Sequence, residues 1–350
     1  MNDWLLDLCY SNNLLSIGIT NYRQAMIHHF LRLISSSSNA ARIISSIKER
    51  VGDSKGLPSD GGWAYLINDT NDFLAWQFGI NRWSAAECSS VSKMMAERLA
   101  HLSDIPYFML VTPEKSVAYR EWLPEGLSRL PDFPDRPVTY LAAKFPEIIY
   151  PIDYLGRMKR HGFLYYRSDT HVNWLGSFLL YRYLIDAINA RGIDVGEGIS
   201  LKSMLPALAS WEGDVMSQSP ETSPDDPSLW QPMYLNEALV QYNLPDENRK
   251  ARRLADPDVF RVGRPERETI ITVNDDSKLP RALIFRDSTA TLMVDLLAEH
   301  FSRAVFIWHR HDVIGDLIES ERPDVVLHFK AERFLSEYPE TRAISWAPTI

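Results

Sequence analysis

Cysteine is nearly absent: Cys9 and Cys88 are the only two in 350 residues, so no disulfide framework holds the fold and no cysteine-rich metal site can form. Basic residues are in the minority. Lys and Arg number 37 against 46 Asp and Glu, a net charge of −9, which is the wrong sign for a nucleic-acid backbone or an acidic lipid surface. No apolar run approaches the length of a membrane span. The opening, "MNDWLLDLCYSNNLLSIGIT", lacks a basic segment and a small-residue cleavage site, and Asp3 and Asp7 stand where a secretory signal is positive or apolar. As written, with no signal peptide, the chain reads as cytoplasmic. Glycine-rich phosphate loops of the dinucleotide or P-loop type are missing too, and neither a cofactor nor a metal is expected.

What is present is ordinary globular material, 45% hydrophobic and 24% charged, enough to bury a large core. Residues 13–50 read as helices, clearest in "NYRQAMIHHFLRLISSS", and "GDSKGLPSDGG" (52–62) as a loop, so 1–60 is taken as a helical appendage. From 61 to 350 strands and helices alternate. "WAYLIND" (63–69), "IPYFMLVTP" (105–113) and "GFLYYRS" (162–168) have strand character; residues 89–104 and 172–192 have helical spacing. A Pro-rich passage, "WLPEGLSRLPDFPDRP", reads as a surface loop. Residues 193–280, with "SQSPETSPDDPSLWQP", read as a decorated insertion. A regular rhythm returns at 281: strand "RALIF", helix "TATLMVDLLAEHF", strand "AVFIWH", helix "DVIGDLIESER", strand "DVVLHF". That succession predicts an α/β fold with a parallel sheet and flanking helices.

Two motifs sit at predicted strand ends. In "IFRDSTA" an apolar strand delivers Asp287 and Ser288 to the carboxyl edge of the sheet, where ligands bind in open α/β folds. A serine at such a strand-to-helix turn exposes its hydroxyl beside backbone N–H donors. The same pair also suits an ordinary helix cap. In "SDTHVN", Asp169 and His171 are spaced so that one tight turn can join carboxylate to imidazole. A serine nucleophile needs a base, and the base needs a carboxylate to hold its tautomer. Capping by Ser168, Asp169 or Thr170 competes with that reading. Together the motifs supply all three roles of a hydrolase triad: Asp169, His171 and Ser288.

"SDTHVNW" resembles the Asp-Thr-His-Trp-Asn segment of the alginate O-acetyltransferase-like branch of the SGNH hydrolase superfamily, and "FRDSTA" resembles that branch's Gly-Asp-Ser-Phe segment. The order, Asp–His before Ser, also matches. "GGWAYLINDTND" and "FMLVTPEKSVAYREWLP" are similar to two further passages of the branch. The likeness covers about residues 61–185 and 281–335. It implies an SGNH-hydrolase-like fold, with Ser288 as the nucleophile, His171 as its base and Asp169 as the partner of the histidine. The implied activity is O-acyl, typically acetyl, transfer to a carbohydrate hydroxyl; a carbohydrate esterase or deacetylase, or a non-catalytic carbohydrate-binding protein keeping the fold, are the alternatives. The implied partners are a carbohydrate or polysaccharide acceptor and an acyl donor, with a partner protein of surface-polysaccharide synthesis also allowed. Members commonly work in the periplasm or outside the cytoplasm. Three positions depart from the pattern: Arg286 for Gly, Thr289 for Phe and Val172 for Trp, with a Trp following at Trp174.

Other residues invite a role. Asn173 can orient substrate or triad, or only cap a helix. Lys115 can meet a substrate carboxylate or be a solvated lysine, the ordinary reading, and Arg286 flanks the nucleophile and is grouped with Asn173 and Lys115 as substrate-binding. His309-Arg310-His311 has metal-binding spacing but no evident third ligand, and reads as a polar strand terminus. Glu332 and Arg333, near the same edge, are either candidates for the site or a surface ion pair, which explains them as well. The ten tryptophans, as a set, can supply sugar-stacking platforms.

Overall fold

In a computed structural model of the chain, residues 18–124, 126–215, 236–254 and 269–346 are described. The centre is a seven-stranded sheet in the order Ile148–Ile149, Tyr107–Thr112, Val325–Ala331, Arg281–Arg286, Arg303–Trp308, Ile270–Val273, Arg252–Arg253. The first five run parallel; the last two join antiparallel. The inner strands are buried almost throughout, as expected when helices cover both faces. Side chains alternate between those faces. Ala282 and Ile284 enter one core, with the helix Trp174–Ala190, while Leu283 and Phe285 enter the other, with the helix Ala85–Leu102. Both helices start on a side-chain cap. Ser84 and Glu87 form a reciprocal capping box, and Asn173 accepts from the Gly176 N–H.

The N-terminal helix, Gly18–Val51, does not stand apart. Ala40, Ile44 and Ile47 are buried in the same core as the helix Trp174–Ala190, and Ser37 donates to the Phe78 carbonyl. Residues 13–17 of the expected helical stretch lie outside the described residues, as does "SQSPETSPDDPSLWQP". Within the expected loop 52–62, Gly56–Pro58 pairs antiparallel with Ala64–Leu66.

Three sequence expectations need correction. "GFLYYRS" is not a sheet strand; among the described residues its ladder contact is a single bridge from Tyr165 to Val172. The segment folds back on itself instead, with Tyr166 N–H donating to the His171 carbonyl and Asn173 N–H to that of Leu164. Its outward carbonyls find other partners, Ala64 N–H and the Lys115 ammonium, so no neighbouring strand is required. The helix after Ser288 begins as a 3-10 turn, Ser288–Met293, and is α-helical only over Val294–Ala298. Finally, residues 193–280 are more than decoration. Ile270–Val273 extends the central sheet, and a hairpin, Leu205–Glu212 with Asn236–Asn243, ends beside the residues described next.

Candidate active site

Ser288 follows the central strand Arg281–Arg286 at the carboxyl edge of the sheet. The preceding Asp287 is buried and holds the turn in place. Its carboxylate accepts from Thr289 N–H at 2.8 Å, from the Thr289 hydroxyl at 2.5 Å and, across the sheet, from Ala331 N–H at 2.8 Å. Asp287 is thus the N-cap that the sequence allowed, and the cap leaves Ser288 half-buried at the sheet edge.

The turn carrying Asp169 and His171 reaches the same place. His171 Nε2 lies 2.8 Å from Ser288 Oγ, and Nδ1 lies 2.6 Å from Asp169 Oδ1. The same Asp169 oxygen accepts from the His171 backbone N–H at 2.7 Å. With Nδ1–H directed at Asp169, Nε2 is left to accept the Ser288 hydroxyl proton. Asp169 is 1% exposed, whereas the His171 side chain keeps 22% of its surface open. Burial disfavours the imidazolium. The Asp169 hydrogen bond and charge, together with the Asp214 charge, outweigh burial and the opposing Arg333, so the His171 pKa lies above the ordinary imidazole value.

Asp214 was not foreseen. It stands just past the hairpin strand Leu205–Glu212, in the stretch read as insertion. Its backbone N–H donates to Asp169 Oδ2 at 2.9 Å, and its carboxylate accepts from Thr170 N–H and Oγ1 at 2.8 and 2.9 Å. Its Oδ2 lies 3.7 Å from His171 Nδ1. No local pattern in the sequence could pair residues 45 apart. Asp169, His171 and Asp214 offer three ligand atoms within 4.8 Å of one another, but each of the two carboxylates already accepts hydrogen bonds from N–H groups of the protein.

The three residues expected to bind substrate fare differently. Lys115 is 3% exposed, and its ammonium donates to the carbonyls of Tyr166, Arg167 and Asp169 at 3.1, 2.8 and 2.5 Å. It ties the back of the turn rather than facing solvent. Asn173 caps its helix while its amide donates to the Phe163 carbonyl at 2.6 Å. Arg286 is also buried, its guanidinium 4.8 Å from the centre of the Trp308 ring. Its Nε has no hydrogen-bond partner among the described residues, and burial lowers its pKa to about 10, against the pull of Asp287.

Glu332 and Arg333 do not pair with each other, and neither is a surface residue. Glu332 binds Arg136 at 2.8 Å, while Arg333 contacts both oxygens of Glu114 at 2.9 Å. His309 and His311 are held below the ordinary imidazole pKa by burial and by neighbouring Lys330 and Arg310. Of the tryptophans, Trp63 is buried and stacks on Tyr119, whereas Trp122 keeps 39% of its surface exposed and lines a cavity of ≈ 440 Å³ with Asp60, Glu121 and Arg129.

The sequence matches no protein-family model and no curated protein. Solved structures do resemble the fold. Bacillus cereus PatB1, in a structure with a sulfonyl adduct, aligns over 83% of this chain and 99% of its own at 17% identity, with a TM-score of 0.61. A DHHW family protein from Eubacterium siraeum aligns over the same shares at 13% identity and a TM-score of 0.56. The O-acetyltransferase domain of Pseudomonas putida AlgJ gives 13% identity and 0.49 over 80% of this chain and 92% of its own. At such identities the likeness is one of fold, and the fold is SGNH-hydrolase-like.

Proposed function

We propose that this protein is a serine-dependent O-acyltransferase that moves an acetyl or similar acyl group onto a carbohydrate hydroxyl. The observation that carries this reading is the unbroken chain from Ser288 Oγ through both imidazole nitrogens of His171 to buried Asp169, at 2.8 and 2.6 Å. His171 takes the Ser288 proton as the hydroxyl attacks the acyl carbonyl, and Asp169 stabilises the imidazolium that forms. His171 then returns the proton to the departing donor group, leaving an acyl-enzyme. A sugar hydroxyl, deprotonated by the same imidazole, resolves it and regenerates Ser288. Thr289 N–H is engaged by Asp287, so the oxyanion donor assigned to this turn is the Ser288 N–H at its first position. Arg286, two residues before Ser288 and with its Nε unmatched among the described residues, is the substrate-binding residue retained from the sequence reading. Lys115 and Asn173 support the turn instead. The exposed face of Trp122, rimmed by polar groups, suits a sugar ring.

The PatB1 adduct suggests the reagent for a test. A sulfonyl fluoride should add once to the folded protein, with peptide mapping placing the adduct on Ser288. Ser288→Ala should abolish labelling, and His171→Ala should slow it about 10²–10⁴-fold, the usual contribution of a positioned base. Failure of well-folded protein to react with sulfonyl and fluorophosphonate reagents of several sizes would defeat the proposal. Transfer and hydrolysis then part on the fate of an acetyl-enzyme. Loss hastened by an oligosaccharide that gains the acetyl mass marks the transferase; steady loss to water marks a carbohydrate esterase.

A further inference from the structure

We infer that Asp214, delivered by the hairpin of the 193–280 segment, is a positioning residue that holds the Asp169–His171 turn and sets the basicity of His171. The inference rests on the triad reading given above.

Its first support is the network of hydrogen bonds. Asp214 binds three consecutive residues of the turn: its N–H reaches Asp169 Oδ2, its carboxylate takes both donors of Thr170, and its Oδ2 stands 3.7 Å from His171 Nδ1. Asp169 would otherwise have its second oxygen buried without that donor. The second support is packing. A Cβ added to Gly213 would stand 2.3 Å from the Ser168 carbonyl oxygen and 2.4 Å from Ser168 Cβ, so only glycine lets the hairpin end lie this close to the turn. The close approach and the bonds lie on neighbouring residues, and both serve one juxtaposition.

The groups that act on His171 are few. Asp169 faces it from its own turn, Asp214 from the hairpin end, Arg333 from beyond the strand Val325–Ala331, and Ser288 from the nucleophile turn. Two of these are anions and one is a cation. A carboxylate at this range stabilises the imidazolium, although the 40% exposure of the Asp214 side chain weakens the effect through solvent screening.

The test is the titration of His171 itself. Histidine ring resonances of the whole protein would be followed by NMR against pH, with His171 assigned by its loss in His171→Gln. In a Ser288→Ala background the measurement is independent of any chemistry at the serine. Asp214→Asn keeps an acceptor for Thr170 N–H but removes the charge, and should lower the His171 midpoint by about 0.5–1 unit. Asp214→Ser, smaller and also neutral, should do the same and serves if the asparagine variant folds poorly. In the wild-type background the pH dependence of sulfonyl labelling should move by the same amount. A His171 midpoint that stays put in a folded neutral variant overturns the inference, even if the protein labels well. A midpoint that falls in a protein that never labels upholds the role of Asp214 and defeats the acyl-transfer reading alone.

Discussion

At His171 the two functions of the imidazole pull on one pKa. Burial lowers it, whereas Asp169 and Asp214 raise it further than burial and Arg333 depress it. Acylation needs the neutral ring, so the labelling rate should climb with pH through a midpoint above about 6.5, the ordinary imidazole value. A rate that is flat from pH 6 to 8 in folded protein would remove histidine as the base. The same shift carries a stability consequence. Because the folded-state pKa is raised, protonated His171 stabilises the fold fully below the unfolded imidazole pKa, and that contribution is lost as pH rises through the folded value. Urea midpoints of wild type and His171→Gln should therefore differ most at acidic pH and converge on the alkaline side. Lys115 gives a prediction of another kind. Its ammonium is the partner of three carbonyls, and Lys115→Met would leave them without it, at a cost of about 3 kcal/mol. Denaturant unfolding would measure it, and an unchanged midpoint would return Lys115 to the substrate-binding role expected from sequence.

Between elements, the critical joint is the turn 162–173 against its neighbours. Asn173 ends the turn and starts a helix, so Asn173→Ala removes a cap worth about 1 kcal/mol and also the bond to the Phe163 carbonyl. The helix and the turn carrying His171 share this residue; the variant should lose labelling rate as well as stability, and a loss of stability alone would show that His171 is held by other contacts. Gly176 serves the same joint: a Cβ there would fall 2.1 Å from the Leu164 carbonyl oxygen. Gly213→Ala tests the hairpin side. The new methyl must push the hairpin end from Ser168, breaking the Asp214 bonds, so labelling should fall about tenfold or more while global unfolding changes less. Equal labelling by this variant would mean that the hairpin is dispensable. Asp169, His171 and Ser288 stood out as candidates because their chemistry is distinctive and the pairs Asp169–His171 and Asp287–Ser288 each lie in a short motif. The path of "GFLYYRS" was not legible. An apolar aromatic run buries itself equally well against packed side chains, and nothing local reveals that a distant lysine will accept the burden of its carbonyls.

On the scale of the molecule, two segments set apart by composition turn out to be built into the fold. Ala40, Ile44 and Ile47 of the N-terminal helix lie in the central core, and Ile270–Val273 widens the sheet. Ile44→Asp should accordingly destabilise the whole chain by about 3 kcal/mol or more, through a charge left in an apolar core. Trimming the chain before residue 53 should likewise lower its urea midpoint. A midpoint indifferent to both changes would make residues 18–51 an independent appendage. Among the described residues no helix is long and apolar enough to cross a membrane.

The sequence by itself determined the alternating α/β rhythm and the parallel core strands, and it marked out Asp169, His171 and Ser288 as candidates, because these follow from side-chain periodicity and from chemistry within a few neighbouring positions. Tertiary structure alone decided that the turn 162–173 meets the end of the strand Arg281–Arg286, that Lys115 and Asn173 brace the turn, that Glu332 and Arg333 take separate buried partners, and that Asp214 stands beside His171. Hydrogen bonds and ion pairs form over a few ångströms of space whatever the separation along the chain. Residues 45 or 117 positions apart leave no mark of such a meeting until the sheet has closed beneath them.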